Sequence, residues 1–196
     1  MEERVIRQGF AADQQQVIAT LAAAFQDDPA LCWIIPNAAA RAKKLIRFFR
    51  MAVAEDLVAG RILMSEQSEV ATLWRSPNRH KELPLGTFRS NMASLRIFGL
   101  SLPRGMRVGE AMAKHHQNTP HWYLRFAAVK PDAQGKGWGG LALRAGIEMA
   151  EADGLPIYLE TASADNVSLY QRFGFTVTAE WDVAGGGPHF WSMLRD

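Results

Sequence analysis

The sequence predicts an α/β domain with a mixed central β-sheet flanked by helices. Three observations carry that expectation. Strand-like and helix-like apolar patterns alternate along all 196 residues, as they do in chains whose sheet is covered by helices. A glycine-rich stretch, Gln134-Gly135-Lys136-Gly137-Trp138-Gly139-Gly140, lies between a strand pattern and a helix pattern. Apolar residues make up 48% and charged residues 21%, enough to bury one core and far from a disordered composition. The length fits a single domain over residues 1–196.

Residues 5–10 read as a first strand, and Asp13 as the N-cap of a helix in which Val17, Leu21 and Ala24 recur at helical spacing until about Phe25. Asp27-Asp28-Pro29 reads as a break and residues 31–36 as a connection. A second helix carries Leu45, Phe48, Phe49 and Ala52 on one face and ends by Gly60; Lys43, Lys44, Arg47 and Arg50 form its solvated face. Residues 61–66 and 69–75 read as a hairpin, followed by a polar stretch over 76–85. Helical spacing returns over 88–98 and 106–116, separated by Leu102-Pro103-Arg104-Gly105 and stopped by Asn118-Thr119-Pro120.

Residues 121–129 are aromatic and small-apolar, a buried strand closed by Lys130-Pro131-Asp132. After the glycines, residues 138–153 form a helix with Leu143, Ile147 and Ala150 on one face, and residues 157–161 another strand. A short helix over 166–173 has Gly174 at its C′ position, and residues 175–182 and 189–194 close the domain as strands.

The net charge is +2 with a sequence pI of 8.9, so no nucleic-acid partner is expected. The charge divides as +5 over residues 1–120 and −3 beyond, which leaves room for an anionic ligand. Cys32 is the only cysteine; it excludes an internal disulfide and fits a reducing, cytoplasmic location. No run of 18 apolar residues exists and the start is acidic, so neither a membrane span nor a signal peptide is expected.

A glycine-rich turn that opens a helix is suited to anions: unpaired N–H groups and the positive end of the helix dipole converge there, and glycine lets a phosphate approach the backbone. Lys136 adds a charge. A Walker loop is excluded because Gly137, not Ser or Thr, follows Lys136. The dinucleotide pattern G-x-G-x-x-G is literally present at Gly135, Gly137 and Gly140, with Glu160 20 residues on. Against it, residues 130–134 part the strand from the first glycine, and 36 residues after Glu160 cannot hold a second βαβ half.

The turn also resembles the pyrophosphate loop of GCN5-related N-acetyltransferases, through Gln134, Gly137 and Gly139. Val129-Lys130-Pro131 resembles that superfamily's V-x-P lead-in, and Leu169-Tyr170-Gln171-Arg172-Phe173-Gly174-Phe175 its L-Y-x-x-x-G-F signature. Leu159-Glu160-Thr161, Asn166, Tyr170 and residues 174–179 look most like the puromycin acetyltransferase-like branch. The Asn seven residues before the tyrosine in many members is replaced here by Ser163, while Asn166 stands one helical turn before Tyr170.

The resemblance implies a splayed, cofactor-binding strand pair within the sheet and acetyl-CoA as co-substrate, with no metal. Residues 121–196 would bind acetyl-CoA and residues 1–120 supply the acceptor side. Backbone groups of Ala127, Ala128 and Val129 would pair with the pantetheine arm, Gln134, Gly135, Lys136, Gly137, Trp138 and Gly139 would hold the pyrophosphate, and Asn166 would assist. Tyr170 would protonate the departing thiolate. Glu160 is the better candidate for a general base, with an equal reading as a buried structural carboxylate. Asp28 and His121 would face the acceptor, a small-molecule amine; His121, at the start of a strand, has a second reading as a structural histidine. Because no base stands out, an acceptor with a depressed amine pKa is expected. A peptide acceptor, a non-catalytic acyl-CoA-binding module and an NAD(P) site stay open, as does a homodimer. His115, His116 and His121 lack a familiar metal-ligand spacing.

Overall fold

The computed structural model describes residues 4–77 and 95–196. The polar stretch from 78 and the first part of the helix expected over 88–98 lie outside the described residues; residues 95–98 are helical.

Seven strands, β1 (Ile6–Gln8), β2 (Gly60–Ser65), β3 (Val70–Arg75), β4 (Trp122–Val129), β5 (Ile157–Thr161), β6 (Thr176–Asp182) and β7 (His189–Arg195), form one sheet in the order β1-β2-β3-β4-β5-β7-β6. Every pairing is antiparallel except β4 with β5. The helices are α1 (Gln14–Ala24), α2 (Pro29–Ile34), α3 (Ala38–Ala59), α4 (Leu102–His115), α5 (Trp138–Glu151) and α6 (Ala164–Gln171). The first four cover one face of the sheet around Leu21, Leu45, Phe49, Met64 and Leu73. The other two cover the opposite face around Trp74, Leu124, Leu143, Leu159 and Phe175.

Two expected breaks are helix starts. Asp28 is the N-cap of α2, its Oδ1 accepting the Leu31 N–H at 2.9 Å with Pro29 in the first turn, the arrangement Asp-Pro favours where N–H groups would be orphaned. Pro103 likewise sits in the first turn of α4 rather than between helices. Asp13 precedes α1, but its carboxylate accepts from Arg7 and the Phe10 N–H instead of capping the helix. Within the expected solvated face of α3, Lys44 donates to the Phe98 carbonyl at 2.7 Å.

Helix α5 lies hard on β3: a Cβ on Gly146 would fall 2.0 Å from Trp74 Cζ2, so only glycine permits this approach. After α6 the chain forms a Schellman turn, with Phe175 N–H donating to the Tyr170 carbonyl and Gly174 N–H to that of Gln171. Gly174 has φ +84°, and the turn folds Phe175 back so that its ring meets Tyr170 edge-on at 5.8 Å. The spacing in L-Y-x-x-x-G-F is therefore that of a helix end.

Candidate active site

Strand β4 pairs with β5 only over Trp122–Ile157, Tyr123–Tyr158 and Leu124–Leu159. Beyond that the strands part. A register shift in the β3–β4 ladder leaves Arg125 as an extra residue, a β-bulge that bends β4 at the same level. Lys130 N–H donates to the Glu69 carbonyl, and the antiparallel alternation then directs the backbone groups of Ala128 to β3 and those of Ala127 and Val129 to the open edge. The Val129 carbonyl accordingly takes a hydrogen bond from the Gln134 side chain at 3.3 Å. Of the three residues expected to meet an extended ligand arm, Ala127 and Val129 present N–H and C=O groups, while Ala128 belongs to the ladder.

The open edge runs into the glycine turn. A 3-10 turn over Pro131–Ala133 leads to Gln134, Gly135 has φ +73° and Gly137 φ +84°. Gly137 is the N-cap of α5 and no side chain caps that helix end. The leading N–H groups from Trp138 onward remain available, and a Cβ on Gly139 would touch Val129 Cγ2 at 3.4 Å. The Arg4 guanidinium donates to the Lys136 carbonyl and lies 5.4 Å above the Trp138 ring. Exposed, uncapped and flanked by Arg4 and Lys136, this turn suits an anionic group at the end of a long arm laid along β4.

At the apex of the opening, Glu160 is the first residue of β5 past the last β4 pair. Its side chain has no exposed surface. One carboxylate oxygen accepts the Tyr123 hydroxyl at 2.9 Å and the other the Tyr158 hydroxyl at 3.0 Å. Burial and the Glu160 charge push both phenols well above their usual range, so both stay protonated donors. The Tyr158 hydroxyl also lies 3.0 Å from Ser192 Oγ and 3.2 Å from the His115 carbonyl. His116, just past α4, places Nδ1 3.9 Å from Glu160, with its ring edge-on to Tyr123 and Tyr158 at 4.9 and 5.0 Å. His121 is buried beside them, its Nδ1 2.7 Å from the Thr119 carbonyl.

On the other face, Tyr170 is buried against Phe175, and burial alone pushes its phenol up to about 12. Among the described residues no group hydrogen-bonds its hydroxyl. Asn166, one turn earlier, reaches Thr161 Oγ1 at 3.5 Å. Asp28 is taken up in capping α2, and burial raises its carboxyl. A second buried cluster joins Arg125 at the bulge to Asp56 and Glu55 of α3 and to Arg75 of β3, at 2.7 to 3.2 Å. Tyr123 lies inside the strand expected to be buried over 121–129, and no sequence signal singles out Tyr158, Arg125 or Asp56. The i, i+2 alternation of Tyr158 and Glu160 put them on one face of β5; their meeting with Tyr123 and His116 depends on strand order.

Among the described residues no group of three His, Cys, Asp or Glu could hold a metal ion, and no helix is long and apolar enough to cross a membrane.

Residues 68–175 match the Acetyltransferase (GNAT) family. An uncharacterized N-acetyltransferase of Schizosaccharomyces pombe is 27% identical over 177 residues, covering 84% of this chain and 71% of the relative. A Corynebacterium glutamicum structure described as histone acetyltransferase HPA2 and related acetyltransferase superposes with a TM-score of 0.73 at 28% identity, over 99% of this chain and 96% of that one. Arylalkylamine N-acetyltransferase 2 of Aedes aegypti shares the fold, with a TM-score of 0.67 at 13% identity over 99% of each chain.

Proposed function

As the chain belongs to the acetyltransferase (GNAT) family, we propose that it transfers the acetyl group of acetyl-CoA to a primary amine of a small molecule, by direct attack in a ternary complex. The observation that carries this is the open β4 edge ending at an uncapped helix N-terminus. A pantetheine arm has the amide groups to pair with Ala127 and Val129, and its pyrophosphate matches the turn from Gln134 to Gly139, with Lys136 and Arg4 beside it. Acetyl-CoA supplies a thioester whose carbonyl the amine attacks.

The protein's own groups then have separate tasks. Backbone N–H groups on the open edge of β4 stabilise the oxyanion. Tyr170 holds its proton until a thiolate, with an ordinary thiol pKa near 8.5, departs beside it. Asn166 and Thr161 support the same end of α6, and Asp28 and His121 belong to the acceptor side as positioning groups. Residues 1–196 act as one domain, residues 121–196 on acetyl-CoA and residues 1–120 on the acceptor.

Within the family, the sequence around Glu160, Asn166, Tyr170 and residues 174–179 supports the puromycin N-acetyltransferase-like branch and hence a small acceptor. A protein amine is the second reading, favoured by the printed description of the Corynebacterium structure. The single cysteine supports a cytoplasmic location. Calorimetric titration with acetyl-CoA, CoA and NADH, followed by thiol release with a panel of small amines and lysine peptides, tests the assignment. Binding of both CoA forms and turnover with small amines is expected; NADH binding or turnover with peptides alone refutes it.

A further inference from the structure

The acceptor amine must lose a proton before it attacks, and Glu160 is poorly placed to take it. Its side chain has no exposed surface, and each oxygen already accepts a tyrosine hydroxyl. Any acceptor must reach it through another group. His116 is that group. A quarter of its side chain is exposed, its Nδ1 faces Glu160 at 3.9 Å, and the rings of Tyr123 and Tyr158 fix its plane. It is the C-cap residue of the 14-residue α4. An imidazole is also the side chain suited to accepting and releasing a proton near neutral pH.

We propose that His116 is the general base for the acceptor amine and that Glu160, held by Tyr123 and Tyr158, is the positioning carboxylate that orients it and balances its charge. This rests on reading the chain as an acetyl-CoA-dependent amine acetyltransferase. An ammonium acceptor loses two protons in forming the amide. The first passes to the imidazole nitrogen turned away from Glu160 and then to water. The freed nitrogen pair forms the C–N bond, and the C–S bond breaks with its electrons on sulfur. Tyr170 gives that sulfur a proton, which the second proton from nitrogen replaces. Among the described residues, Glu160 and Tyr158 on β5, Tyr123 on β4 with Arg125 beyond it, and His121 on the segment before β4 all face His116.

The test compares wild type with His116→Gln, His116→Ala and Glu160→Gln, using the small amine of the panel that wild type acetylates fastest. Acetyl-CoA affinity within about twofold of wild type certifies folding. At neutral pH His116→Gln is expected to lower kcat/KM by ~10²–10⁴-fold, with the deficit closing as pH approaches the amine's own pKa. Added imidazole should partly restore His116→Ala. Glu160→Gln should lose less than His116→Gln and show no response to imidazole. A His116→Gln rate within about threefold of wild type overturns the proposal, as does a loss that neither higher pH nor imidazole relieves. A wild type that binds acetyl-CoA but acetylates no amine instead refutes the function, and the base with it.

Discussion

Substituting Gly137 by Asp and by Ala separates backbone strain from charge at the glycine turn. Gly137 has φ +84°, and a Cβ there would meet nothing closer than Arg4 Nη1 at 3.7 Å. Space is therefore not at issue; conformation is. Holding alanine in the left-handed region costs ~1–2 kcal/mol, and Asp tolerates that region better than Ala. On strain alone, Gly137→Asp should be the milder change, with a Tm at or above that of Gly137→Ala. Affinity for acetyl-CoA should run the other way. A carboxylate at the mouth of the turn opposes each phosphate charge by ~1 kcal/mol in bulk water and up to ~4 kcal/mol at 4 Å with an effective dielectric of 20. The turn is exposed, so the lower part of that range applies, and two phosphate charges give ~2 kcal/mol, or ~30-fold, between Asp and Ala. Calorimetry with acetyl-CoA measures the ratio, which should shrink as salt is raised. Equal affinities for the two folded variants would falsify the assignment of the pyrophosphate to this turn.

Tyr170→Phe should lower kcat by ~10²-fold while acetyl-CoA affinity stays near wild type, because the ring keeps its contact with Phe175 and only a transition-state proton is lost; unchanged kcat would reduce Tyr170 to packing. Asp56→Asn leaves the buried Arg75 and the largely buried Arg125 with Glu55 as their one carboxylate partner among the described residues. It should cost ~3–5 kcal/mol in urea unfolding, and a loss under ~1 kcal/mol would contradict that pairing. His189 sits between Asp182 and Glu180, whose hydrogen bonds raise its pKa. A raised folded-state value means stability that is complete below the unfolded value near 6.5 and lost as pH rises through the folded one. The Tm advantage of wild type over His189→Gln should thus be larger at pH 6 than at pH 9, and a constant difference would count against the linkage.

Elements with strong local signals were legible from residues alone. Helix α5 announces itself by Leu143, Ile147 and Ala150, and the β2–β3 hairpin by two apolar runs around a short turn. Asp28-Pro29 and Leu102-Pro103 were misread because proline both ends one helix and opens the next; which it does depends on whether the following residues find a core. Here Ala30, Leu31 and Ile34 are buried, and so is Val108 of α4.

For the site, the glycine turn and the Tyr170 turn were readable because each is a local device whose backbone needs particular residues: positive φ at Gly135, Gly137 and Gly174, and an uncapped helix start. Glu160 was readable as a carboxylate beside β4, with burial one of its two readings, but its partners were not. Tyr123 and Tyr158 lie 35 residues apart in the chain yet face each other across the parallel β4–β5 pair. His116 joins them from the end of α4, where His115 stacks on Trp181 at 4.6 Å. Local conformational preference, which acts within a few residues, encodes most of the elements and the glycine turn that opens α5. The meeting of side chains at the apex between β4 and β5 lies beyond that reach. Strand order and the bulge at Arg125 set that meeting, and both arise from long-range pairing that no local pattern encodes.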